Sequence, residues 1–261
     1  MRRQAPFSWL ALVAAVLLAA SCADGGQPDR SVSSLPPRTA ITVFAASSLT
    51  EAFTQIGSAF TEANPNVDVN FNFSGSGSLV TQIDQGAPAD VFASADDKSM
   101  SKLQDLDLLA ALPRSIAKNV LEIIVEPQNP FGIMALDDLA QPGLIVVLCA
   151  ATVPCGAGAT ESLAKAGVTV NVSSFEDKVK GVVTKVTTGE ADAGIVYATD
   201  VRAAGSAARG VEIPTANNVV NNYPIAVIKG STNQTAATAF VDFVASATGQ
   251  EILSGFGFLA P

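Results

Sequence analysis

Residues 41–49 read ITVFAASSL, and in this stretch a β-branched and aromatic run leads through small residues into a helical repeat. The apolar residues of the repeat are Leu49, Phe53, Ile56 and Phe60. Their spacing predicts an amphipathic helix that buries one face. Ser48 and Glu51 have the spacing of a capping box, so we expect the helix to begin near Ser48. The stretch therefore predicts a βα unit.

The same alternation of strand and helix continues along the chain. Residues 67–73 alternate as a strand, a Gly-Ser run at 74–78 leads into a second helix, and 90–94 form a third predicted strand. Five elements within about 55 residues predict βαβ units, an α/β fold and a mainly parallel sheet. Further strands are predicted at 120–125, 144–148, 194–197 and 225–228, and further helices at 159–166, 175–186 and 235–247.

Two more helix ends are marked in the second half of the chain. Ser173 and Glu176 repeat the capping-box spacing, which predicts that the helix at 175–186 begins beside them. The helix at 235–247 is expected to end at Gly249, since glycine is common just beyond the last turn of a helix.

The composition excludes several classes of function. The chain has 261 residues and no histidine, which removes Ser-His-Asp and Cys-His nucleophile systems and the usual zinc sites. Its formal net charge is −9. This charge disfavours nucleic acid and anionic membrane surfaces as partners, because phosphate binding depends on clustered Lys and Arg.

The beginning of the chain predicts export. An apolar run at 7–20 follows two arginines and is too short to span a membrane, so residues 1–21 are predicted to be a signal peptide. Residues 18–22 read LAASC and resemble a bacterial lipobox. The motif predicts that Cys22 is lipidated and anchors the protein to the outer face of the cell membrane. Ala19 stands where leucine is usual, and ordinary cleavage nearby is the alternative.

Export also affects the interpretation of the other two cysteines. Cys149 and Cys155 are an even pair in an oxidising compartment, which favours a disulfide that closes a short loop. Two free buried thiols are the alternative. A metal site is disfavoured, because two thiols without histidine make an incomplete set of ligands.

Small polar residues gather at the predicted strand-to-helix junctions, at Ser47-Ser48, 74–78, 155–158 and Ser173-Ser174. Such junctions meet at the edge where α/β folds bind ligands, and helix N-termini supply N–H donors and partial positive charge there. The pattern predicts an anion site built from neutral donors in an acidic protein. Taken singly, the elements have simpler explanations: Ser48 and Ser173 as N-caps, the Gly-Ser run as a turn, and Tyr197 as a core residue.

Five blocks of sequence occur in a characteristic order along the chain. They are ITVFAASSL at 41–49, the Gly-Ser run after Phe73, GAPADVF at 86–92, VPCG at 153–156 and GIVY at 194–197. Over about residues 40–261 the chain therefore resembles the periplasmic molybdate-binding proteins of ABC importers. The resemblance implies a monomer that captures molybdate or tungstate and passes it to a permease and its ATPase. It implies no catalytic residue and no cofactor.

The resemblance also implies how the chain is divided. The fold would be the class II periplasmic-binding-protein fold, in which two crossover strands join two α/β lobes that hold the ligand between them. The first lobe would comprise 40–119 and 225–261, and the second 120–224. Residues 22–39 are rich in Gly, Pro and Ser, which predicts a flexible tether before the first lobe.

The family's way of holding the oxyanion implies the site residues: two serines, two backbone amides and one tyrosine hydroxyl. The matching positions are Ser48 and Ser76 with their hydroxyls and amides, the amides of Cys155 and Val179, and the hydroxyl of Tyr197. Cys155 departs from the family, where alanine is familiar after Val-Pro, and Val179 rests on counting back from GIVY without a gap. Each group donates hydrogen bonds, which suits a proton-free dianion that offers only acceptors.

Two alternatives stay open at this stage. In the first, the same fold holds sulfate, phosphate or a small organic anion; a phosphate site is expected to add an acceptor for the proton of its ligand. The second is an enzyme that transfers acyl groups through a Ser-Lys pair, since Ser99 and Lys102 match S-x-x-K. The same spacing recurs at 115–118 and 162–165, so it is common by chance in this chain.

Overall fold

The computed structural model describes residues 38–261. The predicted signal peptide, Cys22 and the predicted tether up to residue 37 lie outside the described residues. Across 38–261, no helix combines the length and the apolar character needed to cross a membrane.

The described residues form nine strands and eight α-helices, which confirms the α/β fold class. The strands are β1 Thr39–Ala46, β2 Val67–Ser74, β3 Val91–Ala93, β4 Arg114–Val125, β5 Val146–Cys149, β6 Val172–Glu176, β7 Ala193–Tyr197, β8 Arg209–Glu212 and β9 Val220–Val227. The helices are α1 Thr50–Ala63, α2 Ser76–Asp84, α3 Asp97–Asp105, α4 Pro154–Ala166, α5 Val179–Thr187, α6 Ala198–Ala204, α7 Gln234–Ala245 and α8 Ala247–Gly255. A short 3-10 turn at Ser47–Leu49 joins β1 to α1.

Two strands, β4 and β9, connect two parallel sets. The strand order is β2-β1-β3-β9-β4-β7-β5-β6, with β8 paired to β4. β1 is parallel to β2 and β3, and β5 is parallel to β6 and β7. β9 and β4 run antiparallel to each other and to their neighbours. The predicted crossover strands are present, but they make the sheet mixed rather than mainly parallel.

Strands β1, β3 and β9 are buried on both faces. Successive side chains of a strand point to opposite faces, and Phe44, Phe92 and Ala226 pack with apolar residues of α2 and α3. The chain neighbours of these three residues point to the opposite face and pack in the larger core with α1 and α7. Burial on both faces explains why β3 and the second halves of β1 and β9 are apolar in sequence. The register pairs Ala46 with Ser74, so the turns that follow β1 and β2 begin side by side.

The parallel set of β5, β6 and β7 has a similar arrangement. Cys149 at the end of β5 is paired with Glu176 at the end of β6, and Tyr197 ends β7. Each of these strand ends leads into a helix, α4, α5 or α6. The carboxyl ends of both parallel sets therefore supply strand-to-helix turns.

The predicted capping box at Ser173 and Glu176 is wrong. Both residues lie in β6, which is hydrogen-bonded to β5, and α5 begins only at Val179. Phe175, the first residue of the helix predicted at 175–186, also lies in β6, and its side chain is exposed. Strand pairing at this edge of the sheet overrides the local capping signal. Ser173-Ser174 is consequently not a strand-to-helix junction.

Two other predicted signals at helix ends are also wrong, although α1 begins near Ser48 as expected. Ser48 caps no helix; it lies in the 3-10 turn, its hydroxyl is hydrogen-bonded to Tyr223, and α1 begins at Thr50. Gly249 ends no helix either, because it lies inside α8 and its amide donates to the hydroxyl of Ser246. The sequence interpretation also placed no helix at α3, α6 or α8 and no strand at β8.

Candidate functional site

A small cavity lies among the strand-to-helix turns of both parallel sets. Its volume is about 10 Å³, close to the roughly 10–15 Å³ that one enclosed water molecule requires. Its size suits one small ion or molecule. Its lining consists of Ala46, Ser47, Ser48, Ser74, Gly75, Ser76, Ala95, Val153, Pro154, Cys155, Lys178, Val179 and Tyr197. All five residues predicted to hold a ligand are therefore brought together here.

Helix N-termini surround the cavity. Ser76 and Val179 are the first residues of α2 and α5, Cys155 is the second residue of α4, and Tyr197 is the N-cap of α6. Amides in the first turn of a helix have no partner within that helix and carry partial positive charge. None of these four N-termini is capped by a side chain, whereas α3, whose N-terminus does not line the cavity, is capped by Asp96. Free N–H donors are thus concentrated around the cavity.

The two serine hydroxyls are each held by one neighbour. The Ser76 hydroxyl oxygen accepts a hydrogen bond from the backbone amide of Ala95 at 3.1 Å. The Ser48 hydroxyl lies 3.0 Å from the hydroxyl of Tyr223. Both serines are buried, with 4% of Ser48 and 1% of Ser76 exposed. Because Ser76 uses an oxygen lone pair toward Ala95, its own proton stays available for a group in the cavity.

Tyr197 presents a buried hydroxyl to the site. The residue is 1% exposed, and no group within the described part of the chain is hydrogen-bonded to its hydroxyl. Burial, and then the proximity of Tyr223, Asp96 and Asp200, raises the pKa of Tyr197 well above its ordinary value. The hydroxyl is therefore protonated and acts as a donor. An unpartnered buried hydroxyl is costly unless something else accepts its hydrogen bond.

The charges at the site favour an anion. Among the described residues that line the cavity there is no carboxylate, and Lys178, the N-cap of α5, carries the one formal positive charge. The sequence interpretation relied on helix dipoles alone and did not anticipate Lys178. A lining of donors without carboxylates is unsuited to binding a cation.

An ion-pair cluster lies next to the site. Lys180, one residue after Val179, has its Nζ 2.8 Å from Glu51 Oε1 of α1 and 3.0 Å from Asp200 Oδ1 of α6. Burial raises the pKa of Asp200 to about 6, although Lys180 opposes the shift. Burial also lowers the pKa of Lys180, but Asp200 and Glu51 outweigh this effect and raise it overall. The cluster joins α5 and α6 to the helix that follows Ser48.

The predicted disulfide between Cys149 and Cys155 is present, with Cα atoms 5.8 Å apart. It ties the end of β5 to the first turn of α4. The turn inside the loop is tight, because a Cβ on Gly156 would lie 2.0 Å from the carbonyl oxygen of Ala150. The disulfide thereby fixes the amide of Cys155 beside the cavity.

Two turns contact each other across the mouth of the site. A Cβ on Gly75 would lie 2.3 Å from the carbonyl oxygen of Asp177, closer than non-bonded atoms approach. A Cβ on Gly77 would lie 3.3 Å from the carbonyl oxygen of Thr152. The turn before α2 therefore packs against the segment before α5, and glycine at 75 permits the contact.

Several groups that the sequence singled out lie elsewhere. Ser173 and Ser174 are absent from the lining of the cavity, as are Ser99 and Lys102 of the S-x-x-K match. Ser99 lies in α3, where its amide donates to Asp96. Within residues 38–261, no three His, Cys, Asp or Glu side chains are grouped as for a metal ion.

Two residues behind the site were missed by the sequence interpretation. Tyr223 contacts Ser48, and Asn119 contacts Tyr223, but both lie on the crossover strands and far from any motif. An asparagine and a tyrosine within apolar strands were the available signal. Their role required knowledge of which strands are neighbours.

Residues 41–259 match the family of bacterial extracellular solute-binding proteins. The molybdate-binding protein ModA of Mycobacterium tuberculosis H37Rv is 43% identical over 252 residues, covering 96% of this chain and 97% of the relative. The periplasmic molybdate-binding protein of Azotobacter vinelandii superposes with a TM-score of 0.76 at 20% identity, covering 85% of this chain and 99% of the other.

A sulfate-binding protein, SubI of Mycobacterium tuberculosis H37Rv, is structurally as similar to this chain as the Azotobacter protein is. It has a TM-score of 0.76 at 21% identity, and covers 85% of this chain and 86% of its own. At such identities the similarity establishes the fold and not the ligand. The family match over nearly all of the described residues and the mycobacterial relative lead to one conclusion: the chain belongs to the bacterial extracellular solute-binding proteins.

Proposed function

We propose that the protein captures molybdate, and also tungstate, and delivers it to an ABC importer. The observation that carries the proposal is the cavity itself, in which the hydroxyls and amides of five predicted residues meet without a carboxylate. The 43% identity to a mycobacterial molybdate-binding protein supports the same ligand.

The set of donors fits the chemistry of molybdate. At neutral pH this tetrahedral dianion has no proton, so it offers only acceptors, and a carboxylate facing it would bury a like charge. The predicted residues supply about seven donors, and at roughly 1.5–3 kcal/mol for each hydrogen bond to a charged group the gross stabilisation is about 10–20 kcal/mol. Ligand dehydration and loss of motion reduce this by about 4–15 kcal/mol, and the range that remains includes the roughly 8 kcal/mol of a 1 μM dissociation constant.

Sulfate is the principal competing ligand. It has the same charge and shape as molybdate and offers the same acceptors, so the donor pattern does not separate the two. Discrimination then depends on the size of the cavity, and tungstate, which is close to molybdate in size and charge, is expected to bind. Phosphate keeps a proton near neutral pH and is expected to bind poorly where every group donates.

Binding is proposed to close two lobes on the ligand. Ser48 and Ser76 belong to the proposed first lobe, 40–119 with 225–261, and the other three predicted residues belong to the second, 120–224. The ion pair between Glu51 and Lys180 also joins the two. The ligand would bind first to the serines, and the closed form would be recognised by the permease.

The remaining parts of the proposal concern location and partners. The protein is proposed to be exported and held by a lipid on Cys22 at the outer face of the cell membrane. Its partners are the permease and its ATPase, and it acts as a monomer that binds no nucleic acid, needs no cofactor and catalyses no reaction. The family of extracellular solute-binding proteins supports export.

Calorimetric titration of the mature protein with four oxyanions tests the proposal. Molybdate and tungstate should bind, while sulfate and phosphate should bind at least about a hundredfold more weakly. Ser48→Ala and Ser76→Ala should each weaken molybdate binding by about 1–3 kcal/mol, because each removes a donor from a buried charge. Ser58→Ala, on the exposed face of α1, is the matched control and should change nothing. Unchanged affinity in both site variants would refute the assignment.

A further inference from the structure

Tyr223 lies directly behind the site and does not line the cavity. It is fully buried on β9, and its ring packs edge-on against Tyr197 and Phe258. Its hydroxyl is 3.0 Å from the hydroxyl of Ser48. Since either hydroxyl is able to donate in such a pair, the direction of this bond depends on the other partner of Tyr223.

Asn119 fixes that direction. Its Nδ2 donates to the hydroxyl of Thr199 at 2.8 Å and to that of Tyr223 at 3.5 Å. The orientation of the amide follows from its oxygen, which accepts from the backbone amide of Val120 at 3.0 Å. An amide nitrogen donates only, so the Tyr223 oxygen accepts from Asn119 and its single proton is left for Ser48. Burial raises the pKa of Tyr223, which keeps that proton in place.

The consequence is a one-way chain of hydrogen bonds that ends in the cavity. Because the Ser48 oxygen accepts from Tyr223, its own proton points away from Tyr223. We propose that Tyr223 is a positioning residue that turns the Ser48 hydroxyl into a fixed donor toward the oxyanion, and so disfavours anions that carry a proton. This inference rests on the proposed function. It adds to the site a residue that acts through Ser48 and does not itself contact the ligand.

Ser76, the other serine predicted to bind the ligand, also lines the cavity and supports this interpretation. Its oxygen accepts from the amide of Ala95, so its proton is also left for the cavity. Two serines whose acceptor sides are occupied present only hydrogens to an incoming oxygen. The O–H of hydrogen phosphate would then face another hydrogen instead of an acceptor.

A double-mutant cycle with Ser48→Ala and Tyr223→Phe tests the proposal, with molybdate affinity measured by calorimetry. Tyr223→Phe should weaken binding about three- to tenfold beside an intact Ser48. In the Ser48→Ala background it should change the affinity less than twofold, because its effect passes through that hydroxyl. Equal losses in both backgrounds, or no loss in either, would overturn the proposal.

The ratio of molybdate to phosphate affinity provides a second test, because it would not change if Tyr223 served only in packing. Tyr223→Phe should narrow the ratio of molybdate to phosphate affinity at least about threefold, because the freed Ser48 oxygen can then accept the proton of hydrogen phosphate. Phe258→Leu disturbs the ring packing of Tyr223 but leaves its hydroxyl, and should keep the ratio unchanged. An unchanged ratio in Tyr223→Phe would contradict the inference.

The same titrations separate this inference from the proposed function. If the native protein binds sulfate and not molybdate, the proposed ligand is wrong. The cycle is then measured with sulfate, which is also free of protons. Coupling between Tyr223 and Ser48 in that cycle would still support the inference, and its absence would still refute it.

Discussion

Gly75→Ala is expected to weaken molybdate binding without destabilising the ligand-free protein. The backbone of Gly75 is extended, with φ −65° and ψ 137°, so alanine adopts it without strain. The added Cβ would lie 2.3 Å from the carbonyl oxygen of Asp177. At least one of the two turns must move by about 1 Å to restore a normal contact. Asp177 is two residues before Val179, so the movement displaces an amide proposed to bind the ligand.

The expected cost follows from this overlap. Overpacking in a close-packed region costs about 1–3 kcal/mol, which corresponds to a loss of affinity of about 5- to 150-fold. If the two turns separate in the ligand-free protein, the overlap disappears there. The melting temperature without ligand should therefore stay within about 1 °C of the native value, while the shift caused by molybdate becomes smaller.

Isothermal titration calorimetry and thermal unfolding of the same samples provide the test. Gly77→Ala is the matched control, because its Cβ would lie 3.3 Å from the carbonyl oxygen of Thr152 and needs only a small adjustment. We expect its affinity to fall less than threefold. A native affinity in Gly75→Ala would refute closure of these turns on the ligand, and equal loss of stability with and without molybdate would indicate a folding defect instead.

Three further predictions concern the surroundings of the site. Glu51→Gln should weaken molybdate binding about two- to fivefold in calorimetry, since it removes a partly exposed ion pair between the two proposed lobes, whereas the exposed Glu62→Gln should have no effect. Burial raises the pKa of Asp200 to about 6 in the folded protein. The stability contributed by its protonated carboxyl is therefore complete below about pH 4 and is lost as the pH rises through 6. Asp200→Asn should therefore gain up to about 3 kcal/mol relative to the native protein between pH 4 and pH 7 in urea unfolding, and a pH-independent difference would contradict this. Reducing the disulfide should lower the free energy of unfolding by about 2 kcal/mol, as expected for a short loop. Reduction should also weaken molybdate binding. Unchanged affinity after reduction would show that the disulfide does not hold the amide of Cys155 in place.

Much of the fold followed from apolar patterns. The repeat from Leu49 to Phe60 predicted α1 and its buried face, which includes Phe53, Ile56 and Phe60. Local spacing failed at Ser173 and Glu176, which are three positions apart as in a capping box but lie in a strand that pairs with β5. Such pairing depends on residues far away in sequence, which a local pattern does not contain.

The site shows the same division between local and distant information. The positions of Ser76 and Cys155 beside helix starts were predictable, because the turns that hold them are local. The position of Val179 at a helix start was not, since the predicted helix began at residue 175 and α5 begins at Val179. The role of Ser48 was not predictable from spacing, since its hydroxyl bonds to Tyr223, 175 positions further along the chain. Lys178 was also missed, because its place beside the cavity depends on how α5 begins.

A crystal structure of the mature protein with molybdate tests the central claim most directly. We expect the metal in the cavity among the five predicted residues, with its oxygens within about 3 Å of the hydroxyls of Ser48, Ser76 and Tyr197 and of the amides of Cys155 and Val179. Molybdate bound elsewhere, or bound there with a carboxylate against it, would contradict the proposal that neutral donors from both lobes hold a proton-free anion.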